Sequence, residues 1–186
     1  MTDLLHPCQA LTDIFTIQEH KGSLQGLKLV YIGDGNNMAH SLMFACAKCG
    51  MDMVCASPEG YQPNPEIVSM AQADAKETGA SITVEADVMQ AVQGADVLYT
   101  DVWASMGEEA EKEERMQALH NYQINQEVLA QAAQDAIVLH CLPAHRGEEI
   151  TEEVLEGKQS VVFDQAENRL HVQKAIMTLL MSDVMP

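Results

Sequence analysis

Short apolar runs alternate with amphipathic stretches along the chain, and this alternation predicts strands separated by helices. Apolar runs bounded by glycine, proline or polar residues have the length of buried parallel strands. We predict strands over residues 27–32, 51–56, 82–85, 97–100, 136–139 and 160–163. Helical spacing of apolar residues predicts helices over residues 3–20, 38–49, 65–78, 88–92, 108–114, 125–133, 151–156 and 170–180. The pattern is typical of a single α/β domain with a doubly wound, mostly parallel sheet and helices on both faces.

The first helix contains a proline, which restricts where the helix can begin. Thr2 or Asp3 is a candidate cap, and Pro7 is compatible only with the start of a helix. This places His6 and Gln9 together at an amino-terminal helix end, where backbone N–H groups favour anions. The alternative is that His6 is only a polar residue at a helix start.

Charge and composition limit the classes of partner. The 186 residues are 47% hydrophobic and 20% charged, which fits one globular domain. A formal charge of −18 argues against nucleic acid or an anionic membrane as a partner. The sequence contains neither an apolar run of about 20 residues nor a signal peptide, so we expect a cytoplasmic protein. Cations are rare, and two of them, Arg146 and Arg169, follow predicted strands.

Two local patterns suggest other chemistry but are incomplete. Five cysteines, an odd number, favour reduced thiols, and the CxxC spacing of Cys46 and Cys49 lacks a second ligand pair for zinc. The turn from Gly33 to Asn37 could approach a phosphate, as in nicotinamide-dependent oxidoreductases. However, His40 lies near the position where the dinucleotide-binding motif requires its third glycine.

Polar residues collect in loops that follow predicted strands. Because the carboxyl ends of parallel strands meet at one edge of a sheet, these residues predict a small-molecule site. They are Asn36, Asn37, Asp101, Ser105, Met106, Cys141, His145, Arg146 and Arg169. A carboxylate suits an ammonium group, amides suit an amino-acid carboxylate and arginine suits a phosphate. The sequence shows no His/Asp cluster with metal spacing, so the residues indicate a group transfer without a metal.

Five motifs resemble, in this order, those of the ornithine carbamoyltransferase family. They are His6-Pro7-Cys8-Gln9, Gly33-Asp34-Gly35-Asn36-Asn37, Asp101-Val102-Trp103-Ala104-Ser105-Met106-Gly107, His140-Cys141-Leu142-Pro143 and Glu167-Asn168-Arg169. The first is shared with aspartate carbamoyltransferases, whereas the Ser-Met-Gly and His-Cys-Leu-Pro segments resemble the ornithine branch. The resemblance implies transfer of the carbamoyl group of carbamoyl phosphate to the δ-amino group of L-ornithine, giving L-citrulline and phosphate in arginine biosynthesis. It implies no cofactor and no metal.

The resemblance also implies roles at the carbamoyl phosphate end of the site. His6 and Gln9 would hold the carbamoyl group, with His6 polarising its carbonyl. Leu142 would offer its backbone carbonyl to the carbamoyl nitrogen, and Arg169 would bind the oxygens of carbamoyl phosphate. Cys141 would lie beside both substrates, and we expect it to position the amine rather than to attack as a nucleophile.

At the ornithine end, the resemblance assigns four further residues. Asn37 would bind the carboxylate side of ornithine, and Asp101, Ser105 and Met106 would bind its α-amino end. Within the same class of enzyme, putrescine or N-acetylornithine is an alternative acceptor. The residues after Asp101 favour the free α-amino acid.

Members of the family carry a further domain before HPxQ, with a Ser-Thr-Arg-Thr phosphate loop, and nothing like it occurs in this sequence. We therefore expect residues 1–22 to form an interdomain helix, residues 23–165 an ornithine-binding domain, and residues 166–186 a helix that packs on the other domain. The apolar faces of the first and last helices should then be exposed. The expected partners are that amino-terminal domain and the other subunits of a homotrimer. The alternative is a binding fragment without catalytic activity.

Overall fold

The computed structural model describes residues 2–104 and 112–182, and its five strands form one parallel sheet in the order β3-β2-β1-β4-β5. The strands are β1 (Lys28–Ile32), β2 (Asp52–Ala56), β3 (Ile82–Glu85), β4 (Val97–Thr100) and β5 (Ile137–His140). The helices are α1 (Pro7–Lys21), α2 (Asn37–Cys49), α3 (Pro65–Thr78), α4 (Val88–Ala91), α5 (Lys112–Leu119), α6 (Gln126–Leu129), α7 (Glu152–Leu155) and α8 (Val162–Met181), with a 3-10 turn at His120–Tyr122. The predicted α/β fold is confirmed.

Helices cover both faces of the sheet, so the strands are apolar on both sides. One buried cluster packs the sheet against α1, α2 and α3, with Ile17, Leu42 and Ala71 among its members. The second packs the other face against α4, α6 and α7, and includes Val128 and Val154. This explains why the strands appear in the sequence as continuous apolar runs rather than alternating ones.

The sheet has a switch point between β1 and β4. From β1 the chain runs outward through β2 to β3, and it then crosses to β4 and continues outward to β5. The two crossovers leave a crevice at the carboxyl ends of β1 and β4, the usual ligand site of such sheets. None of the helices in the two described ranges has the length and apolar character needed to span a bilayer.

The predicted sixth strand is wrong. Ser160 forms only an isolated bridge with Val138 at the edge of β5, and α8 begins at Val162. Val161 and Val162 are buried at the start of this helix. The apolar residues that suggested a strand therefore belong to a buried helix end. Arg169 consequently lies within α8 and not in a loop after a strand.

The predicted cap of the first helix is also wrong. Thr2 Oγ1 accepts a hydrogen bond from the Leu5 backbone N–H at 3.0 Å in a separate turn, and α1 begins at Pro7 with His6 as its N-cap residue. Proline has no N–H to satisfy and a φ suited to the first helical position. The expectation that Pro7 brings His6 and Gln9 to one helix end is confirmed.

Gly35, in the turn between β1 and α2, packs directly on the chain at residues 62–63. A Cβ atom at this position would lie 2.2 Å from the Pro63 backbone nitrogen. Gly35→Ala should therefore lower the free energy of unfolding by about 1–3 kcal/mol, because backbone must move to make room. Urea unfolding followed by circular dichroism measures this loss, and an unchanged midpoint would contradict the close packing.

Candidate functional site

Asp101, directly after β4, connects the loops that follow three strands of the sheet. Its Oδ1 accepts hydrogen bonds from Cys141 Sγ at 2.9 Å and from the Val102 backbone N–H at 2.8 Å. Its Oδ2 accepts a hydrogen bond from Asn36 Nδ2 at 2.9 Å. The carboxylate is buried, yet these donors satisfy it, so a negative charge is held at the switch point.

Cys141 remains a protonated thiol in this setting. Burial, and next the charge of Asp101, raise the pKa of the Cys141 thiol well above its ordinary value. The thiol donates its hydrogen to Asp101, which further opposes ionisation. A nucleophilic thiolate is therefore disfavoured, in line with the positioning role expected from the sequence.

The two neighbouring asparagines after β1 differ in their contacts. Asn36 caps α2, since its Oδ1 accepts a hydrogen bond from the Met38 backbone N–H at 2.9 Å. Asn37 is the first residue of α2, and its Nδ2 donates to the Thr2 carbonyl at 2.7 Å. The structure thus brings Asn36 rather than Asn37 against Asp101, and sequence reasoning gave Asn36 no role of its own.

The loop after β5 is held by a buried pair that the motif does not reveal. His140 Nε2 donates to Glu149 Oε1 at 3.1 Å, and both side chains are fully buried. His140 Nδ1 accepts a hydrogen bond from the Leu142 backbone N–H at 2.9 Å, and Leu142 has a left-handed φ of 56°. Such a backbone conformation is unfavourable for leucine, so the surrounding contacts hold it in place.

His6 and Gln9 present unpaired polar atoms at the start of α1. The His6 backbone N–H donates to Ser41 Oγ at 2.7 Å, while His6 Nδ1 is buried and has no hydrogen-bond partner among the described residues. Burial, and then the positive charge of Arg169, lower the pKa of His6, and Asp101 opposes this shift. Gln9 is fully buried, and its Oε1 also lacks a partner within the described ranges.

Arg169 differs from the chain's other arginines in its surroundings. Arg146 pairs with Glu156 at 2.6 Å, and Arg115 pairs with Asp34 at 2.7 Å. Arg169 is half-buried on α8 and forms no ion pair or hydrogen bond with any residue of 2–104 or 112–182. A guanidinium left unpaired in a strongly acidic chain is available to an anion.

The structure links four of the residues that the sequence predicts for the site. Arg169 and Asp101 both act on the pKa of His6, and Cys141 donates a hydrogen bond to Asp101. Ser105 and Met106 lie outside the described residues. His145 and Arg146 instead engage the acidic residues of their own segment.

One group among the described residues has ligand atoms spaced for a metal. The His145, Glu148 and Glu149 side chains offer atoms within 4.8 Å of one another. Lys112 Nζ already lies 3.0 Å from Glu148 Oε1 and compensates that carboxylate. Glu149 Oε1 in turn accepts the hydrogen bond of His140, whereas Glu149 Oε2 is buried and has no hydrogen-bond partner in the described ranges.

The cysteines and the glycine-containing turn after β1 are the two patterns that suggested other chemistry in the sequence. Cys8, Cys46, Cys49, Cys55 and Cys141 are all free. In the turn after β1, the Gly33 and Gly35 backbone N–H groups donate to the Ala56 and Tyr61 carbonyls at 3.0 and 2.7 Å. Those donors are therefore not available to a dinucleotide phosphate.

Comparison with known proteins shows which family this chain resembles. Residues 25–180 match the family model "Aspartate/ornithine carbamoyltransferase, Asp/Orn binding domain". The chain is 60% identical over 183 residues to an ornithine carbamoyltransferase of Oceanobacillus iheyensis, covering 98% of this chain and 57% of that protein. It is 56% identical over 184 residues to the enzyme of that name from Thermococcus kodakarensis, covering 99% of this chain and 58% of the relative.

Solved structures agree with the sequence relatives. The ornithine carbamoyltransferase of Pyrococcus furiosus superposes with a TM-score of 0.94 at 53% identity, covering 98% of this chain and 58% of that one. The Gloeobacter violaceus enzyme gives a TM-score of 0.91 at 52% identity, covering 97% of this chain and 60% of that one. The chain therefore spans less than two thirds of the length of these relatives.

Proposed function

The chain belongs to the aspartate/ornithine carbamoyltransferase family, and we propose that it supplies the ornithine-binding half of a carbamoyl transfer site. In the proposed reaction the δ-amine of L-ornithine attacks the carbamoyl carbon of carbamoyl phosphate. A C–N bond forms, phosphate leaves with the electrons of the C–O bond, and the amine loses a proton to give L-citrulline. Such a transfer depends on orienting two substrates and stabilising developing charge.

The observation that carries this proposal is the opposed charge within one crevice. Asp101 holds a buried negative charge at the carboxyl end of β4, beside the Cys141 thiol. Arg169 supplies an unpaired positive charge close enough to His6 to lower the pKa of its imidazole. An amino acid with an ammonium group and an acyl phosphate match these two poles.

On the ornithine side, we assign the α-amino group to Asp101, Ser105 and Met106, and the carboxylate side to Asn37. Cys141 lies next to Asp101 and would contact the δ-amine. The carboxylate at Asp101 supports an acceptor with a free ammonium group at this place, as L-ornithine has. N-acetylornithine would leave that carboxylate without its countercharge.

On the carbamoyl phosphate side, a neutral imidazole at His6 suits a hydrogen bond to the carbamoyl oxygen. Burial and Arg169 favour that neutral form by lowering the His6 pKa. Gln9 and the Leu142 backbone carbonyl would accept hydrogen bonds from the carbamoyl nitrogen. Arg169 would bind the phosphate oxygens and stabilise the charge that develops as phosphate leaves.

A second part of the enzyme would cover the apolar surface of α1 and α8. As expected from the sequence, this surface is exposed, with relative exposures of 50% for Leu11, 41% for Phe15, 64% for Phe163 and 62% for Leu170. The relatives extend well beyond the region that this chain matches. We assign the cover to an amino-terminal carbamoyl phosphate domain and to the contacts of a homotrimer, with residues 1–22 and 166–186 at the boundary.

The test measures citrulline formation from carbamoyl phosphate and L-ornithine. This chain is assayed alone, and after mixing with a polypeptide that supplies the remaining part of a relative; the Asp101→Ala chain is the negative control. We expect turnover only in the mixture of the unsubstituted chain. Turnover by the chain alone would overturn the half-site proposal. Absence of turnover in a mixture shown to associate would favour an amino-acid-binding fragment.

A further inference from the structure

We propose that Asp13 is a positioning residue that orients Gln9 towards the carbamoyl group and, through Gln165, fixes the end of β5. This inference rests on the function proposed above and adds to it a residue outside the family motifs quoted earlier. It is carried by a continuous chain of hydrogen bonds that crosses the buried interior from α1 to α8 and β5.

Two glutamine amides converge on one oxygen of Asp13. Asp13 lies one helical turn after Gln9 on α1 and is fully buried. Its Oδ1 accepts hydrogen bonds from Gln9 Nε2 at 2.8 Å and from Gln165 Nε2 at 2.7 Å. Gln165 Oε1 in turn accepts a hydrogen bond from the His140 backbone N–H at 2.9 Å.

The carboxylate determines which way the Gln9 amide faces. A carboxylate oxygen can only accept, so the nitrogen of Gln9 must point to Asp13 and Oε1 must point away. That Oε1 is buried and has no hydrogen-bond partner among the described residues. Leaving a buried acceptor unpaired is costly, and a ligand that donates a hydrogen bond relieves the cost. The carbamoyl NH2 group is such a donor.

The same carboxylate determines the orientation of Gln165. With its nitrogen on Asp13, the oxygen of Gln165 is left to accept from the backbone where β5 ends and Cys141 follows. Gln165 lies one turn before Arg169 on α8. Asp13 thus connects α1, which carries Gln9, with α8, which carries Arg169, and with the end of β5, which Cys141 follows.

Asp13 is also placed to change charge near neutral pH. Burial raises the pKa of its carboxyl to about 7, although hydrogen bonds from Gln9 and Gln165 and the charge of Arg169 oppose the shift. The Tyr99 hydroxyl on β4 also opposes this rise, and the charge of Asp13 in turn raises the pKa values of Cys46 on α2 and of Cys141 after β5. Because the Gln9 and Gln165 amides both donate to Oδ1, ionisation of Asp13 should affect both amides at the same pH.

The first experiment follows the side-chain amide signals of Gln9 and Gln165 by NMR in this chain between pH 5 and pH 9. We expect both to shift together with one midpoint near neutrality, and to lose this step in Asp13→Asn, which keeps the shape but cannot ionise. The amide of Gln93, which donates to Gln131 on the surface, is the internal reference. Independent behaviour of the two amides, or a step that persists in Asp13→Asn, would overturn the shared network.

The second experiment measures Michaelis constants in the mixture that restores turnover. Asp13→Ala should raise the KM for carbamoyl phosphate about tenfold, the equivalent of one lost hydrogen bond, and change the KM for ornithine much less. Asp13→Asn serves if the alanine variant does not fold, and it should give the smaller rise in the same KM. An unchanged KM for carbamoyl phosphate in both variants would refute the positioning role.

Thr16→Val is the matched control. Thr16 is equally buried on α1, and its Oγ1 accepts a hydrogen bond from Asn168 Nδ2 at 3.1 Å on α8, but it forms no hydrogen bond with Gln9. It should destabilise the same helix pair without raising the KM for carbamoyl phosphate selectively. If the unsubstituted mixture forms no citrulline, the proposed reaction fails, whereas the amide titrations still decide whether Asp13 orients Gln9.

Discussion

Arg169→Ala should raise the KM for carbamoyl phosphate by about a hundredfold in the reconstituted mixture, through the loss of about two charge-assisted hydrogen bonds to phosphate. Arg169 is half-buried and has no carboxylate partner in the described parts of the chain. Its removal therefore subtracts an anion-binding group without breaking an ion pair or hydrogen bond within the described ranges. Initial rates at varied carbamoyl phosphate and saturating ornithine measure the effect.

Arg146→Ala is the control for Arg169, because it removes the same charge from the same chain. Arg146 is paired with Glu156 at 2.6 Å on the surface of the loop after β5. Its removal should change the KM for carbamoyl phosphate less than about twofold, since exposed ion pairs contribute little. Arg169→Lys should fall between the two, because an ammonium group keeps the charge but loses the planar pair of donors. Equal effects of Arg146→Ala and Arg169→Ala would refute the assignment of Arg169.

The sequence predicts the sheet well wherever a strand is buried on both faces. Each of the five strands lies in one of the predicted apolar runs; the first ends at Ile32 as predicted, and the fifth ends at His140, one residue beyond its predicted range. The failure at residues 160–163 has a physical cause. Ser160-Val161-Val162-Phe163 has the composition of a strand, but only Ser160 bridges to the free edge of β5, at Val138, and Val162 instead packs as the first residue of a long helix.

The motifs place the proposed site at the switch point but do not reveal its contacts. Adjacent Asn36 and Asn37 carry the same amide, and only the geometry of the turn decides that Asn36 caps α2 and contacts Asp101. Arg169 likewise lies within α8, which the expectation of a loop could not show. Side-chain pairing of this kind depends on the packing of elements distant in sequence.

The residues that support the site were the hardest to predict. Asp13 had one usable signal, its spacing of four from Gln9 on a predicted helix, which favours a side-chain hydrogen bond. Gln165 contacts Asp13 across 152 residues of sequence, and no local pattern indicates it. Glu149 belongs to an acidic pair in which Glu148 is half-buried and Glu149 is fully buried. Their side chains look alike in the sequence, so their difference emerges only from the fold.

That difference makes Glu149 the residue whose loss should affect stability most. Glu149 Oε1 accepts hydrogen bonds from His140 Nε2 at 3.1 Å and from the His145 backbone N–H at 2.5 Å. Glu149→Ala would leave both donors without this acceptor, so we expect the free energy of unfolding to fall by about 3–5 kcal/mol. Urea unfolding of this chain, followed by circular dichroism, measures the change.

Glu148→Ala provides a control one residue away. Glu148 is half-buried and pairs with Lys112 at 3.0 Å, an arrangement whose loss should cost less than about 1 kcal/mol. Glu149→Gln keeps an acceptor for His140 and should show a loss between the two. Because His140 also accepts from the Leu142 backbone N–H, loosening it should expose Cys141. The thiol should then react faster with a maleimide in Glu149→Ala than in Glu148→Ala, whereas equal stability and equal thiol reactivity would mean that the buried pair does not hold the loop.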